Sequence, residues 1–172
     1  MRPLIIFIIL SSYLLVVSPV SNAYSADEKN KIQLFLNQVF DDEVPPAKRL
    51  WLTAELKSSL SQLLNQSPTK LSYRYWQADD TVVWVLDEIG KERDITTGIV
   101  VKNNQVYDVA VIIYRESKGG EVQIPWFTAQ FRQATTQHNW QKDIDGISGA
   151  TLSVNALKKQ VTTALALNSL IP

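Results

Sequence analysis

The segment from Val106 to Tyr114 constrains the fold most. In an extended chain Val109, Val111 and Ile113 fall on one face and Ala110, Ile112 and Tyr114 on the other, so both faces are apolar. A strand of this kind must be covered on both sides, which predicts a central strand in a sheet with other elements packed above and below it. The preceding residues supply the rest of a sheet. Tyr73, Tyr75 and Val82 to Leu86 are aromatic or β-branched and flank an Ala78-Asp79-Asp80 turn, and Thr96 to Val101 reads as a further strand. Asn103-Asn104 is a tight-turn signal, because Asn tolerates positive φ.

Helical spacing brackets these strands. Asp27 to Phe40 places Ile32, Phe35, Leu36 and Val39 on one face. Pro45 and Pro46 break the chain, and Ala47 to Gln66 reads as a second helix that Ser67-Pro68 stops. Ser117 to Glu121 is a glycine turn, and Pro125-Trp126-Phe127 leads into a short helical stretch ending at Arg132. Leu152 to Leu167 is amphipathic, with Val154, Leu157, Val161, Ala164 and Leu165 recurring at threes and fours. Helices, then antiparallel strands, then a closing helix make an α+β fold, since no strand–helix–strand alternation occurs. Residues 24–68 form an N-terminal helical segment and 69–172 the domain that holds the sheet.

Composition excludes several chemistries. With no cysteine there are no disulfides, thiolate metal sites, iron–sulfur clusters or lipoprotein anchor, and one histidine, His138, rules out a multi-His metal site within one chain. A formal net charge of zero gives no basic footprint for nucleic acid. There is no Gly-x-Ser-x-Gly hydrolase elbow, P-loop or Rossmann glycine signature. Residues 1–23 read as a secretory signal: Arg2, an apolar run from Leu4 to Val17, Pro19, then Ser21-Asn22-Ala23 as the cleavage site. Tyr24-Ser25-Ala26 is a weaker second site. The run is shorter than the roughly 20 residues that span a bilayer; left uncleaved, it would serve as a membrane anchor. Export without cysteine points to a bacterial periplasm.

The segment that carries chemistry is Asp145-Gly146-Ile147-Ser148-Gly149-Ala150-Thr151-Leu152-Ser153. A glycine-containing turn delivers hydroxyl residues to the start of the last helix, where first-turn amides lack partners and the helix dipole favours an anion. Gly149 and Ala150 keep the surface low enough for a phosphorylated ligand to approach. Ser148 or Thr151 can cap this helix, as can Ser153 if it begins later, and capping alone would account for such residues.

The full string goes further. It resembles the flavinylation motif of FMN-binding domains, a family similar to the covalently flavinylated components of the sodium-translocating NADH:quinone oxidoreductase and of the Rnf electron-transport complex. The likeness extends diffusely over Ile95 to Leu165, including Tyr114 to Val122, which is similar to small free-standing FMN-binding proteins. It implies that residues 69–172 are an FMN-binding domain and that Thr151 bears FMN through a phosphoester. It also implies that a periplasmic FAD:protein FMN transferase installs the group from FAD with a divalent metal. Asp145, Ser148, Gly149 and Ala150, with Ser153 beyond, are implied to be read by the transferase or to line the phosphate. The Glu-Thr-Pro-Gly-Leu-Gly type loop of the respiratory members has no counterpart here; Ser117 to Val122 takes that place, which argues for a free-standing member.

Gly119 and Gly120 are a second candidate flavin contact, or else a simple strand-end turn. Trp126, Phe127, Phe131 and Trp140 are candidates to stack on the ring, although core packing is the commoner use of such residues. Lys118 and Lys158 could offset phosphate charge. The expected function is electron transfer between periplasmic or membrane redox proteins. The alternatives are a reductase acting on a small substrate, with His138 as proton donor, and a non-redox binding module of the same fold.

Overall fold

The computed structural model describes residues 24–137 and 144–171. The expectations on the signal segment 1–23, His138 and Trp140 lie outside these residues. The described chain forms one five-stranded antiparallel sheet in the order β1-β2-β3-β4-β5, with helices on both faces. The strands are β1 (Lys48–Trp51), β2 (Ser72–Ala78), β3 (Thr81–Ile89), β4 (Asp94–Lys102) and β5 (Gln105–Tyr114). The α-helices are α1 (Ala26–Val39), α2 (Ala54–Leu64), a single turn α3 (Pro125–Thr128) between two 3₁₀ turns, and α4 (Thr151–Asn168). The α+β expectation holds.

Two elements differ from the sequence reading. The expected helix from Ala47 to Gln66 is shorter at both ends. Lys48–Trp51 instead pairs with β2, Lys48 opposite Tyr75 and Trp51 opposite Ser72, and α2 begins only where the Thr53 hydroxyl accepts the Leu56 amide. The helical leucines that follow mask the short extended run of Lys48, Arg49, Leu50 and Trp51. Second, β5 is not central but lies at the edge of the sheet. Its two apolar faces have another reason: α1 covers one, and α4 with the segment 120–131 covers the other. Its free edge is partly closed by Gln133 and Ala134, which exchange backbone hydrogen bonds with Val106.

β5 also carries two register shifts, opposite Thr96/Thr97 and Val100/Val101. A bulged residue reverses the facing of those after it. Val109 and Val111 therefore face α4, whereas Ile113 joins Ala110 and Ile112 on the α1 side. The Asn103-Asn104 turn is as expected, with φ of 49° and 60°, and links Lys102 directly to Gln105.

The α1 layer packs Ile32, Phe35, Leu36 and Phe40 on Trp76, Val83, Val100 and Ile113. Gly98 makes this approach possible, since a Cβ there would stand 2.3 Å from the Phe35 ring. The start of α1 is pinned by polar contacts. Ser25 and Glu28 form a capping box, Glu28 accepts from Arg115 Nε at 2.7 Å, and the Tyr24 hydroxyl donates to Asp87 at 2.7 Å. Burial, then the Asp87 charge, pushes the Tyr24 phenol well above its ordinary range.

The second layer is larger: α2 and α4 cover Tyr73, Trp84, Ile95, Ile99 and Val109. Within it lies one buried amide. Gln160 donates to the carbonyls of Leu86 at 2.8 Å and Ile95 at 2.7 Å and accepts from the Thr97 hydroxyl at 2.7 Å. Replacing Gln160 by Leu would remove all three bonds; the two carbonyls belong to residues paired across the β3–β4 ladder, whereas the Thr97 hydroxyl loses its acceptor. The expected loss is about 3 kcal/mol, since each intramolecular hydrogen bond contributes roughly 0.5–1.5 kcal/mol. A urea midpoint lowered at unchanged slope would be the reading.

Candidate functional site

The last helix opens without a side-chain cap. Ala150 is the N-cap residue, with no side chain able to accept a first-turn amide, and Thr151 is the first helical residue. Neither Ser148, Thr151 nor Ser153 caps the helix. The amides of its first turn remain available to an anion, and the Thr151 side chain is exposed. Gly149 reaches this point with φ of 79°, a left-handed conformation that suits glycine, and no atom lies within 4 Å of where its Cβ would be. The ground before Thr151 is therefore open.

Two clefts meet at this opening. One, of about 280 Å³, is lined by Gly149 to Ser153 on one side and by Lys91, Glu92, Glu116, Ser117 and Lys118 on the other. The second, broader and about 720 Å³, lies between Ser148-Gly149 and the stretch from Ser117 to Glu121, with Gln123 and Ile124. Both fall within or near the range of small-molecule sites.

The structure thus brings the two glycine-bearing segments together. A Cβ on Gly119 would lie 3.0 Å from Ser153 Oγ, 3.1 Å from the Tyr114 hydroxyl and 3.2 Å from Ala150 Cβ. Gly119, at φ 80°, packs against the beginning of α4. Tyr114 donates its hydroxyl proton to the Lys118 carbonyl, so Ser153 Oγ donates to the Tyr114 oxygen at 3.0 Å. Ser153, 5% exposed, therefore latches the 118–119 turn to the helix.

Ser148, Gly149, Ala150, Thr151 and Ser153 meet Gly119 and Gly120 across these clefts; Asp145 lines neither of them. Its backbone amide donates to Gln130 Oε1 at 2.8 Å, which ties the loop to the end of the 120–131 segment. The Gln130 amide nitrogen is buried without a hydrogen-bond partner among the described residues. Phe127 and Phe131 are wholly buried and meet edge to face at 5.7 Å, so they belong to the core. Trp126 is 62% exposed, and Ile124 and Leu152 are also largely exposed around the opening. Lys158 reaches back to the Ile144 carbonyl at 3.5 Å, away from Thr151.

Sequence reasoning missed the β3–β4 loop. Its residues Lys91, Glu92 and Arg93 all donate their backbone amides to one oxygen of Glu116. These bonds, that of Arg93 foremost, hold the Glu116 carboxyl below its usual range. Gly90 admits the arrangement, as a Cβ there would stand 2.9 Å from the same oxygen. An isolated glycine in a polar hairpin tip was the available signal, but only the fold reveals which carboxylate it faces.

The residues present suit a phosphorylated ligand held at Thr151. There are uncapped helix amides, an exposed hydroxyl at the first helical position, a glycine with open space before it, and lysines 91 and 118 on the facing wall.

Because the folded carboxyl of Glu116 titrates lower than the unfolded one, its contribution is full above the unfolded value near 4.5. It is lost as pH falls through the lowered folded value. Protection of the amides of 91–93 against hydrogen exchange, taken relative to the intrinsic rate at each pH, should accordingly be high at neutral pH and fall in acid. In a Glu116→Ala variant it should be low throughout.

No curated protein matches the chain. The family model of the FMN-binding domain matches residues 90–166, from the tip of the β3–β4 hairpin through most of α4 and so including both walls of the Thr151 site. Residues 90–166 are thus an FMN-binding domain of that family.

Proposed function

We propose that this flavoprotein carries FMN covalently, phosphoester-linked to the Thr151 hydroxyl, and serves as an exported electron carrier between redox proteins. The observation that supports this reading best is the exposed Thr151 side chain at an uncapped helix start between two clefts. The first-turn amides would hold the phosphate, with Lys118 supplying positive charge, since Lys91 already pairs with Glu92 at 3.5 Å. Gly119 and Gly149 would keep the walls low. Bound there, FMN supplies a ring that takes one or two electrons, with its potential set by the surrounding protein. The exposed Trp126, Ile124 and Leu152 offer apolar surface nearby.

No side chain among the described residues hydrogen-bonds the Thr151 hydroxyl. A threonine hydroxyl is a weak nucleophile until a base or metal activates it, so activation falls to an outside FAD:protein FMN transferase. A covalent tether also suits an exported protein. It replaces dissociable binding by an effective concentration on the order of mM or more, and dilution outside the cytoplasm cannot strip the cofactor.

Export is itself part of the proposal. Cleavage after Ala23 would make Tyr24 the first residue and keep both its bond to Asp87 and the Ser25 cap of α1. Cleavage after Ala26 would remove all of these and cut within the helix. This supports the first site.

Coexpression with a transferase should yield a yellow protein whose denatured mass includes one FMN. Thr151→Ala should be colourless and lack the increment. Retention of FMN by the Thr151→Ala chain would refute the attachment site.

A further inference from the structure

On the α1 face of the sheet, α1 covers β4, β5 and Trp76 of β2, but leaves Arg49 of β1 and Arg74 of β2 exposed. The step between the helix and these exposed residues is a notch of about 270 Å³. Its lining includes Arg49, Lys70, Arg74, Tyr24, Trp76 and Asp87, and none of its residues lines either cleft at Thr151.

The charges in this notch are not balanced. Arg49 and Arg74 stand directly opposite each other across the β1–β2 ladder, an arrangement of like charges that destabilises a sheet. Arg49 donates to the Ser72 hydroxyl at 3.0 Å and lies over the Trp51 ring. Lys70 sits over Tyr73. Among the described residues no carboxylate pairs with Arg49, Lys70 or Arg74. Asp87, the carboxylate in the lining, already accepts from Tyr24 at 2.7 Å and from Thr96 at 2.6 Å. Cations on an edge strand often guard it against pairing with another sheet. That would explain Lys48 and Arg49, but not Arg74, which is on the inner strand, nor Lys70, which precedes it.

The rim is apolar. Trp51 is 63% and Leu71 74% exposed; Trp51 pairs with Ser72, the residue after Leu71. Both project rather than filling a pocket. Protruding Trp and Leu beside unpaired Arg and Lys match the interfacial region of a bilayer, where indoles rest at headgroup depth and cations meet phosphates.

We infer that this notch binds the phosphate headgroup of an anionic phospholipid, held by Arg49, Arg74 and Lys70, with Trp51 and Leu71 entering the adjoining acyl region. The site is independent of the flavin reading.

Isothermal titration of the full chain would test it with three probes: dihexanoylphosphatidylglycerol below its micelle concentration, inorganic phosphate, and polyglutamate. The chains compared are the parent, Arg49→Gln, Arg74→Gln and Trp51→Ala. All carry the same residues 1–23, so differences between them report on the notch, and unchanged circular dichroism would verify folding. The lipid should bind more tightly than phosphate. Each arginine substitution should weaken it about fivefold, the effect of one basic residue near an anionic surface, and Trp51→Ala should weaken lipid but not phosphate. Lipid affinity unaltered by both arginine substitutions would overturn the inference. Equal lipid and phosphate affinities indifferent to Trp51 would overturn it in favour of a free phosphate ester. Binding of polyglutamate alone would overturn it in favour of an acidic protein.

Discussion

The fold turns on the buried amide of Gln160. Gln160 lies in an otherwise apolar layer, where an unpaired polar group would be costly. Its three hydrogen bonds reach Leu86 on β3 and Ile95 and Thr97 on β4. Apolar contact alone would let α4 slide or roll across the sheet, since it has no direction. The amide removes that freedom and sets where the helix begins. With Gln160 seated, Thr151 reaches the end of the sheet at which Tyr114 and the β3–β4 loop converge.

Around that point the protein places backbone groups and hydroxyls rather than bulky side chains. The Ser153–Tyr114–Lys118 chain of hydrogen bonds joins one wall to the helix, and the Glu116 carboxylate gathers three amides into the other. Each fixes the distance between a turn and the first residues of α4, and both depend on a glycine, 119 or 90, where a side chain would occupy the space. Such supporting contacts decide whether a site is held closely enough to function.

Much of this is legible in the chain. Regular spacing identifies α1 and α4, the Asn103-Asn104 turn forms as its residues imply, and the string from Asp145 to Ser153 marks the site and its family. What is not legible depends on partners distant in sequence. β1 is four residues long, too short for its extended character to outweigh the helical leucines after it. The bulges of β5 leave no local trace, so simple alternation puts Ile113 on the wrong face. Apolar residues on both faces report cover on both sides but not position in the sheet, and so β5 reads as central although it is an edge strand. Glu116 looks like one charge in a polar stretch because the amides that surround it come from residues 91–93.

Strands β2 to β5 pair with their neighbours in sequence, so hairpins can zip up one after another with short loops to close, and β1 joins through the longer connection that holds α2. The exception is α4, whose eighteen residues must dock back across β3 and β4. The two sides of the cleft at Thr151 therefore come together only when that helix docks. Under the proposed function, a modifying enzyme that recognises both sides, rather than the bare string of residues, would meet them only on a folded chain, and attachment at the threonine would record that folding has occurred.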